Sequence, residues 1–300
     1  MVLFGTQQIS GTGAKCAVLL VFAAFTLVSV GYQQEPSDPY VSDNPFATEG
    51  YVQLQEGNTE IALEAFNKAL ETNAKELSAL LGRAMIYAEQ LNHEKAFQSY
   101  DAIIQEHPRH IDAWGGRGLA AFNLGDFDEA LDSFKQATVD KPINGFYYES
   151  LAWTQMCRGE FLEATASAKM AMLMYHRKGE TSVYPLLIAY YSYLEMGEPQ
   201  AAERTLDYAL KNRPANQWPT PVIDFISGNI DENELISFVM DSAQETEART
   251  YIGLKLRQEG EVERAERHLA WVSEHGDPRV FERTLARTFQ LRSSVAVLAP

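Results

Sequence analysis

The stretch IDAWGGRGLAAFNLGDFDEALDSFKQATVDKPIN, residues 111–144, determines the fold expected for the whole chain. Apolar residues recur at helical spacing on both sides of a short break, which predicts two amphipathic helices joined by a tight turn. Gly118 and Ala130 are small enough for the helices to cross closely, and Gly125 can adopt the left-handed conformation that ends the first helix. Pro142 stops the second helix because it cannot donate the next hydrogen bond of the ladder. The stretch therefore predicts a helical hairpin.

Copies of this hairpin recur along the chain. The crossing alanine is found at 34-residue spacing in the first four copies and at longer spacing in two more: Ala62, Ala96, Ala130, Ala164, Ala202 and Ala265. Turn glycines keep the same phase at Gly57, Gly125, Gly159, Gly197 and Gly260, with Leu91 and Asn92 in that place in the second copy. An unrelated helical bundle, the alternative interpretation, has no reason to keep such a period.

The residues at fixed offsets in the quoted stretch carry a family resemblance. They are Trp114, Gly118, Ala130, Phe134, Ala137 and Pro142. With the period, they resemble the signature of the tetratricopeptide repeat (TPR) family. The resemblance implies an all-α fold, a right-handed superhelical solenoid whose concave wall is lined by the first helix of each pair. The last pair has no successor to cover it, so a C-terminal capping helix is predicted at 280–292, with Phe281, Leu285 and Phe289 on one face.

The repeats divide the chain into successive segments. A signal peptide or anchor at 1–31 and a linker at 32–42 are predicted to precede repeats at 43–76, 77–110, 111–144, 145–178 and 183–216. The solenoid is predicted to continue with a degenerate pair at 217–245, a repeat at 246–279 and the cap, so that its extent is 43–292. A tail at 293–300 follows it. The degenerate pair lacks the crossing alanine, and Asp231 is a good N-cap for its second helix.

The N-terminal segment predicts export. Residues 16–30 (CAVLLVFAAFTLVSV) are uncharged, follow Lys15 and precede acidic residues. This length suits the core of a signal peptide, with Ser29 and Gly31 ahead of a cleavage site. Residues 16–34 together leave an uncleaved inner-membrane anchor open as the alternative, and this segment would be the only contact with a membrane. Both alternatives place the body of the chain outside the cytoplasm, in the periplasm or secreted.

Composition and residue patterns argue against several classes of function. The net charge of -16, from 41 acidic and 25 basic residues, argues against nucleic acid, which requires a basic face. The histidines at 107, 110, 268 and 275 lack partners at metal-ligand spacing, and Cys157 has no histidine near it in sequence. We therefore predict no enzyme activity, no cofactor, no metal and no small-molecule substrate.

The resemblance also indicates where a partner would bind, because positions 2, 5, 9 and 12 of a TPR face the concave groove. We predict a protein or peptide partner at a largely apolar and aromatic set: Tyr51, Met85, Gly115, Leu119, Phe122, Phe146, Glu149, Trp153, Met156, Tyr184, Leu187 and Tyr191. Aromatic side chains offer large contact area at small entropic cost. Gly115 and Gly116 are expected to leave open space at the middle of this wall. The alternative is that several of these side chains pack against the neighbouring helix.

One activity known in the family is not expected. Chaperone-binding TPR domains hold acidic C-terminal tails with lysine and asparagine at positions 5 and 9 and basic residues at 2 and 6. Positions 5 and 9 are here Gly115 and Leu119 in one repeat and Glu149 and Trp153 in the next. We therefore do not expect a carboxylate clamp.

A second resemblance covers the last third of the chain. Gln217-Trp218, the run IDFISGNI at 223–230, Leu235 and Tyr251-Ile252-Gly253 are similar to the NlpI-type family of periplasmic TPR lipoproteins. That similarity implies a dimerising adaptor that brings cell-envelope hydrolases to a processing protease. No lipobox precedes Cys16, so lipid anchoring is not implied.

These observations together predict a non-enzymatic extracytoplasmic adaptor or scaffold. The alternative is a structural or oligomerising subunit of an envelope complex that acts through its convex face or through residues 217–245, with a homodimer as one expected form.

Overall fold

The computed structural model describes residues 42–140, 142–214 and 217–298. The predicted signal peptide or anchor and nearly all of the linker lie outside the described residues. Within them the chain forms α-helices and no strand. The helices are α1 (Pro45–Gln55), α2 (Thr59–Thr72), α3 (Leu77–Glu89), α4 (His93–Glu106), α5 (Ile111–Leu124), α6 (Phe127–Asp140), α7 (Gly145–Arg158), α8 (Phe161–Arg177), α9 (Tyr184–Glu195), α10 (Pro199–Asn212), α11 (Thr220–Ile226), α12 (Glu232–Ser237), α13 (Ser242–Gln258), α14 (Val262–His275) and α15 (Phe281–Leu298).

Consecutive helices pack as pairs, and each pair packs on the next. The six crossing alanines are buried, and none is more than 1% exposed. A Cβ added at Gly118 would lie 2.7 Å from a ring carbon of Phe134, so glycine is required where α5 and α6 cross. Gly125 ends α5 with a φ of 83°, and Leu91 takes the same left-handed region with a φ of 57°. The predicted all-α, right-handed superhelical TPR solenoid is confirmed.

The degenerate pair consists of two very short helices. α11 has 7 residues and α12 has 6. The side chain of Asp231 accepts a hydrogen bond from the backbone N–H of Glu234 (2.9 Å), and the backbone N–H of Asp231 donates to the Glu234 side chain (2.8 Å). This capping box confirms Asp231 as the N-cap of α12 and stabilises a helix that is too short to form alone.

The last helix differs most from the sequence prediction. It runs over Phe281–Leu298, through residues expected to be a tail. Leu285 and Phe289 are buried on α13 and α14, as a capping helix requires. The same helix also contacts α5 and α7, several pairs earlier in the chain. The solenoid therefore closes on its own inner face.

The core follows this closure. The largest cluster of buried side chains runs from Ala121 in α5 to Phe289 in α15, whereas two smaller clusters cover the first two pairs, one of them reaching Ala113 and Ala120 of α5. A search of the described residues finds no helix whose length and apolar character would let it span a membrane.

Candidate partner-binding wall

The inner wall of the solenoid, formed by α1, α3, α5, α7 and α9, carries the residues predicted to bind a partner. The structure divides this wall into two sections. The open section lies on α3 and α5. The covered section lies on α7 and α9, beneath α13 and α15.

The open section contains a cavity of about 140 Å³. Its lining is mostly apolar and includes Leu81, Met85, Leu119, Phe122, Val280 and Phe281. The polar residues of the lining include Glu89, His93, Asp112, Asn123 and Arg279. Of the predicted set, Met85 and Leu119 are partly exposed here. An apolar cleft with a few polar groups at its edge suits the side chains of a peptide or of a partner helix.

The basic groups that line this cavity, His93 and Arg279, are neutral or paired at neutral pH. Burial lowers the pKa of His93 below its ordinary value, with Arg283 contributing in the same direction, so the imidazole is uncharged at pH 7. Arg279 forms a two-point ion pair with Asp277. Burial opposes ionisation of Asp277, but the hydrogen bonds from Arg279 and Ser242 keep its pKa below the usual value. The basic groups therefore add no unpaired positive charge to the mostly apolar lining of the cavity.

In the covered section, the chain itself occupies the position predicted for a partner. The ring of Phe281 stacks on Trp153 with centroids 5.8 Å apart and planes 6° apart. It also meets Phe122 edge-on at 4.9 Å and lies 6.4 Å from Phe146. Trp153 is consequently only 1% exposed. Partner binding by this section stays a prediction, and in this structure its side chains pack within the protein.

Other members of the predicted set are buried in the same way. Met156, Leu187 and Tyr191 are at most 2% exposed. Tyr191 stacks on Tyr251 of α13 with centroids 5.8 Å apart. At the other end of the wall, the hydroxyl of Tyr51 donates to the backbone oxygen of Ser78 at 2.7 Å. The packing alternative considered for these side chains thus describes most of the wall.

The expectation that Gly115 and Gly116 themselves leave open space at the middle of the wall is wrong, although Gly116 is part of the cavity lining. A Cβ at Gly115 would lie 2.5 Å from the ring of Tyr147, and one at Gly116 would lie 2.3 Å from the ring of Tyr100. The glycines are there because aromatic rings from neighbouring helices pack against the α5 backbone. Sequence position alone could not distinguish a glycine that leaves space from one that a ring fills.

Three buried carboxyl groups lie in the covered section, and only Glu149 belongs to the predicted set. Burial raises the pKa of Glu149 to about 7, against which Tyr175, Ser182 and Trp153 supply hydrogen bonds. Glu282 of α15 is an electrostatic neighbour of Glu149 and also of Glu247 of α13. Tyr184, also in the predicted set, donates its hydroxyl to Glu247 at 2.9 Å.

Phe281, Glu247 and Glu282 were not expected on this wall. Phe281 lies 128 positions after Trp153 in the sequence. Its place on the apolar face of the cap was the one available signal.

The histidines have structural contacts. The Nδ1 of His110 accepts a hydrogen bond from the backbone N–H of Ala113 at 3.2 Å and caps α5, rather than standing free in a loop. His268 lies 3.2 Å from a carboxylate oxygen of Glu232. No group of three or more histidine, cysteine or acidic residues that could hold a metal is present in the described part of the chain.

Sequence comparison identifies the repeats. A family model described as tetratricopeptide repeat matches residues 48–111 and 99–143. Cilia- and flagella-associated protein 70 of Homo sapiens is 25% identical over 167 residues, which are 52% of this chain and 15% of that protein. The heat-shock protein cognate co-chaperone sgt12 of Aspergillus fumigatus is 28% identical over 88 residues, 27% of this chain and 26% of that protein. The matched region therefore spans about a quarter or less of either relative.

Solved structures share the fold at low sequence identity. A tetratricopeptide repeat protein from Parabacteroides merdae superposes with a TM-score of 0.60 at 17% identity, over 81% of this chain and 97% of that one. YrrB, described as a TPR protein with an unusual peptide-binding site, gives a TM-score of 0.55 at 15% identity over 63% and 93%. MamA from Desulfovibrio magneticus gives 0.53 at 12% identity over 59% and 99%. The chain contains tetratricopeptide repeats and has their solenoid fold.

Proposed function

We propose that this tetratricopeptide-repeat chain is a non-enzymatic adaptor or scaffold, and that its open section binds a protein or peptide partner. The observation that carries the proposal is the apolar cavity between α3, α5 and the start of α15. Proteins with this repeat fold generally serve as scaffolds for other proteins, and YrrB is described as having a peptide-binding site.

The chemistry of the cavity defines the partner. Met85 and Leu119 are partly exposed and offer apolar contact, so affinity would come from burying apolar side chains of the partner. The wall is already organised by repeat packing, which reduces the entropic cost of binding. A carboxylate clamp for acidic tails is not part of the proposal, although one relative is a co-chaperone, because the corresponding positions hold glycine, leucine, glutamate and tryptophan.

The proposed compartment is extracytoplasmic. Its support is the uncharged run at 16–30 after Lys15, together with the similarity of the last third of the chain to NlpI-type lipoproteins. Mass spectrometry of the mature N-terminus, after expression of the full chain in a bacterium, tests this. Loss of the first 31 residues or retention in the membrane fraction would agree with export. An intact chain in the cytosol would contradict it.

A charge placed in the cavity tests partner binding. We expect Leu119→Glu and Met85→Glu to abolish capture of partners that the wild-type full chain retains from envelope extracts, because an uncompensated carboxylate would face the apolar contact. Leu162→Glu on α8 is the matched control, since Leu162 is 68% exposed and far from the wall. Circular dichroism checks that helix content is kept. Capture that survives both wall variants, or that is lost equally in the control, would contradict the proposal.

A second function is favoured by a separate observation. Phe238 and Met240, directly after α12, are 52% and 83% exposed, which is unusual for large apolar side chains. The degenerate pair could thus contact another subunit, as in an oligomer or a structural complex. Sedimentation of the wild type and of Phe238→Ser/Met240→Ser tests this. An assembly that dissociates only in the variant would support it, whereas a wild-type monomer would argue against a homo-oligomer.

A further inference from the structure

The first turn of α15 occupies the aromatic centre of the inner wall. Phe281 inserts between Phe122, Phe146 and Trp153, with ring centroids 4.9, 6.4 and 5.8 Å away. In a solenoid, a final helix needs to cover only the pair before it. Here the helix also covers a surface several pairs away, which a cap does not require. α15 therefore behaves as a ligand of the inner wall that is part of the same chain.

Three carboxyl groups meet where α15 covers the wall: Glu149 of α7, Glu247 of α13 and Glu282 of α15. Each is at most 7% exposed. Their partners are neutral donors: the Ser182 hydroxyl for Glu149 (3.0 Å), the Tyr184 hydroxyl (2.9 Å) and Trp218 Nε1 (2.7 Å) for Glu247, and the Tyr251 hydroxyl (2.9 Å) for Glu282. Among the described residues, none of the three carboxyl groups forms an ion pair with a basic side chain.

Such an arrangement favours the protonated forms while α15 is docked. Burial raises the pKa of Glu149 and of Glu282 to about 7. Burial, and then the charge of Glu282, raises that of Glu247 well above its usual value. Once α15 leaves, water reaches all three groups, and their pKa values return towards the ordinary 4.5. Ionisation therefore favours the undocked state.

The other titratable groups around this contact do not reverse that direction. The hydroxyls of Tyr175, Tyr184 and Tyr251 face the carboxyls as neutral donors, and Asp241 adds further negative charge near Glu247. On the opposite side of α15, His93 faces Arg283. Protonated His93 would repel Arg283 in acid, which opposes the carboxyls. That single pair is about half-buried, however, whereas the three carboxyls are fully enclosed.

We propose that α15 is a pH-dependent latch, docked over Phe122, Phe146 and Trp153 while Glu149, Glu247 and Glu282 are protonated, and released to expose this wall to a partner helix when they ionise. The second part of this proposal, that the exposed wall binds a partner helix, rests on the proposed function of the inner wall. α15 itself defines the chemistry of that partner, a helix with an aromatic residue followed by apolar residues four and eight positions later, as at Phe281, Leu285 and Phe289.

Hydrogen exchange of the full chain tests the latch without any partner. An isolated helix of this length is marginal in water, so amides of 281–291 lose protection when α15 undocks. A pKa that changes from 4.5 to about 7 alters the docking equilibrium by roughly 300-fold for one carboxyl. We therefore expect protection of 281–291, corrected for intrinsic rates, to fall at least about a hundredfold between pH 5 and pH 8.

The control variants isolate the carboxyls. Glu149→Gln/Glu247→Gln/Glu282→Gln should retain protection of 281–291 at both pH values, and Glu263→Gln, at an exposed site of α14, should behave as wild type. Phe281→Ala should lower protection at both pH values while α3 and α4 keep theirs. Protection in the wild type that does not depend on pH would overturn the latch. So would a loss that is equal in the triple variant.

A peptide probe tests the partner half separately. A synthetic peptide of residues 279–291 (RVFERTLARTFQL) carrying Glu282→Gln should bind the wild-type chain at least tenfold more tightly at pH 8 than at pH 5. If α15 is released at pH 8 but the peptide does not bind, the pH-dependent release is supported and the binding of a helix by the wall is overturned. Equal binding at both pH values would show that α15 does not control access.

Discussion

Gly115 illustrates how a single residue is fixed by its neighbours. A methyl group there would lie 2.5 Å from a ring carbon of Tyr147, whose hydroxyl donates to Asp112 at 2.9 Å and so holds the ring in place. We expect Gly115→Ala to lower the free energy of unfolding by up to about 2 kcal/mol, because overpacking costs about 1–3 kcal/mol and alanine returns roughly 1 kcal/mol of helix propensity. Urea unfolding at pH 7 measures the change.

The hydrogen bond that holds the ring of Tyr147 in place can be tested in the same experiment. Tyr147→Phe removes the hydrogen bond to Asp112 and frees the ring to move. The double variant should then lose less stability than the sum of the two single variants. Strict additivity would mean that the ring is not what excludes a side chain at Gly115.

The buried carboxyls make the stability of the chain depend on pH. Burial raises the pKa of Glu149 and Glu282 from 4.5 to about 7, so their contribution is fully present below about pH 4.5 and is lost as pH rises through 7. Asp277 has the opposite effect on the pH dependence of stability, because its pKa is lowered in the folded protein. Its contribution to the free energy of unfolding is therefore lost only in stronger acid. We expect the free energy of unfolding to be higher at pH 5.5 than at pH 8 by about 2 kcal/mol or more.

Denaturant titrations at the two pH values measure this difference. Glu247→Gln should reduce it, since a neutral amide oxygen can still accept from Tyr184 and Trp218. Glu263→Gln should leave it unchanged. Greater stability at pH 8 than at pH 5.5 would show that these carboxyls are not enclosed in solution.

At the scale of elements, the free energy gained by burying one apolar anchor of α15 is comparable to the free energy associated with ionising one enclosed carboxyl. Burying a side chain such as Leu285 or Phe289 contributes about 1.5–3 kcal/mol. A pKa raised from 4.5 to about 7 corresponds to roughly 3 kcal/mol for Glu282. A helix with so few apolar anchors can therefore respond to the ionisation of three such groups.

The capping box of α12 should decide whether that helix forms. With only 6 residues, α12 relies on Asp231 and Glu234 to satisfy its first N–H groups. We expect Asp231→Ala to cost about 0.5–2 kcal/mol and to increase hydrogen exchange at 232–237. Protection of α3 and α4 in the same sample provides the control. Unchanged exchange at 232–237 would mean that contacts with α11 and α13 hold α12 without its cap.

The elements of the solenoid could be predicted from the sequence because the repeat is local. The crossing alanine recurs in every regular copy and the turn glycine in most of them, and both act within a single hairpin, so a 34-residue period identifies them. The position of α15 on α5 and α7 could not be predicted in this way. It depends on contacts such as that between Phe281 and Trp153, 128 positions apart, which no single repeat encodes. The same contact covers Phe122, Phe146 and Trp153, whereas Met85 and Leu119 are partly exposed.

The whole molecule should unfold in larger units than an ordinary repeat array. Repeat arrays are held by contacts between neighbours, but α15 joins α13 and α14 to α5 and α7, and one core runs through all of them. We expect residues 111–291 to exchange amide hydrogens as one cooperative unit at pH 5.5. The smaller clusters of α1 to α4 should open at lower free energy. Independent opening of each pair would contradict this.

Closure by α15 also has a mechanical consequence. An open superhelix stretches like a coil spring, since small rotations between successive turns add up along its axis. Here α15 at the C-terminal end packs against α5 and α7 in the middle of the chain, so a force on the two ends would act on these contacts before the superhelix could extend. Acid should stiffen the protein against such a pull, and alkali should make it compliant.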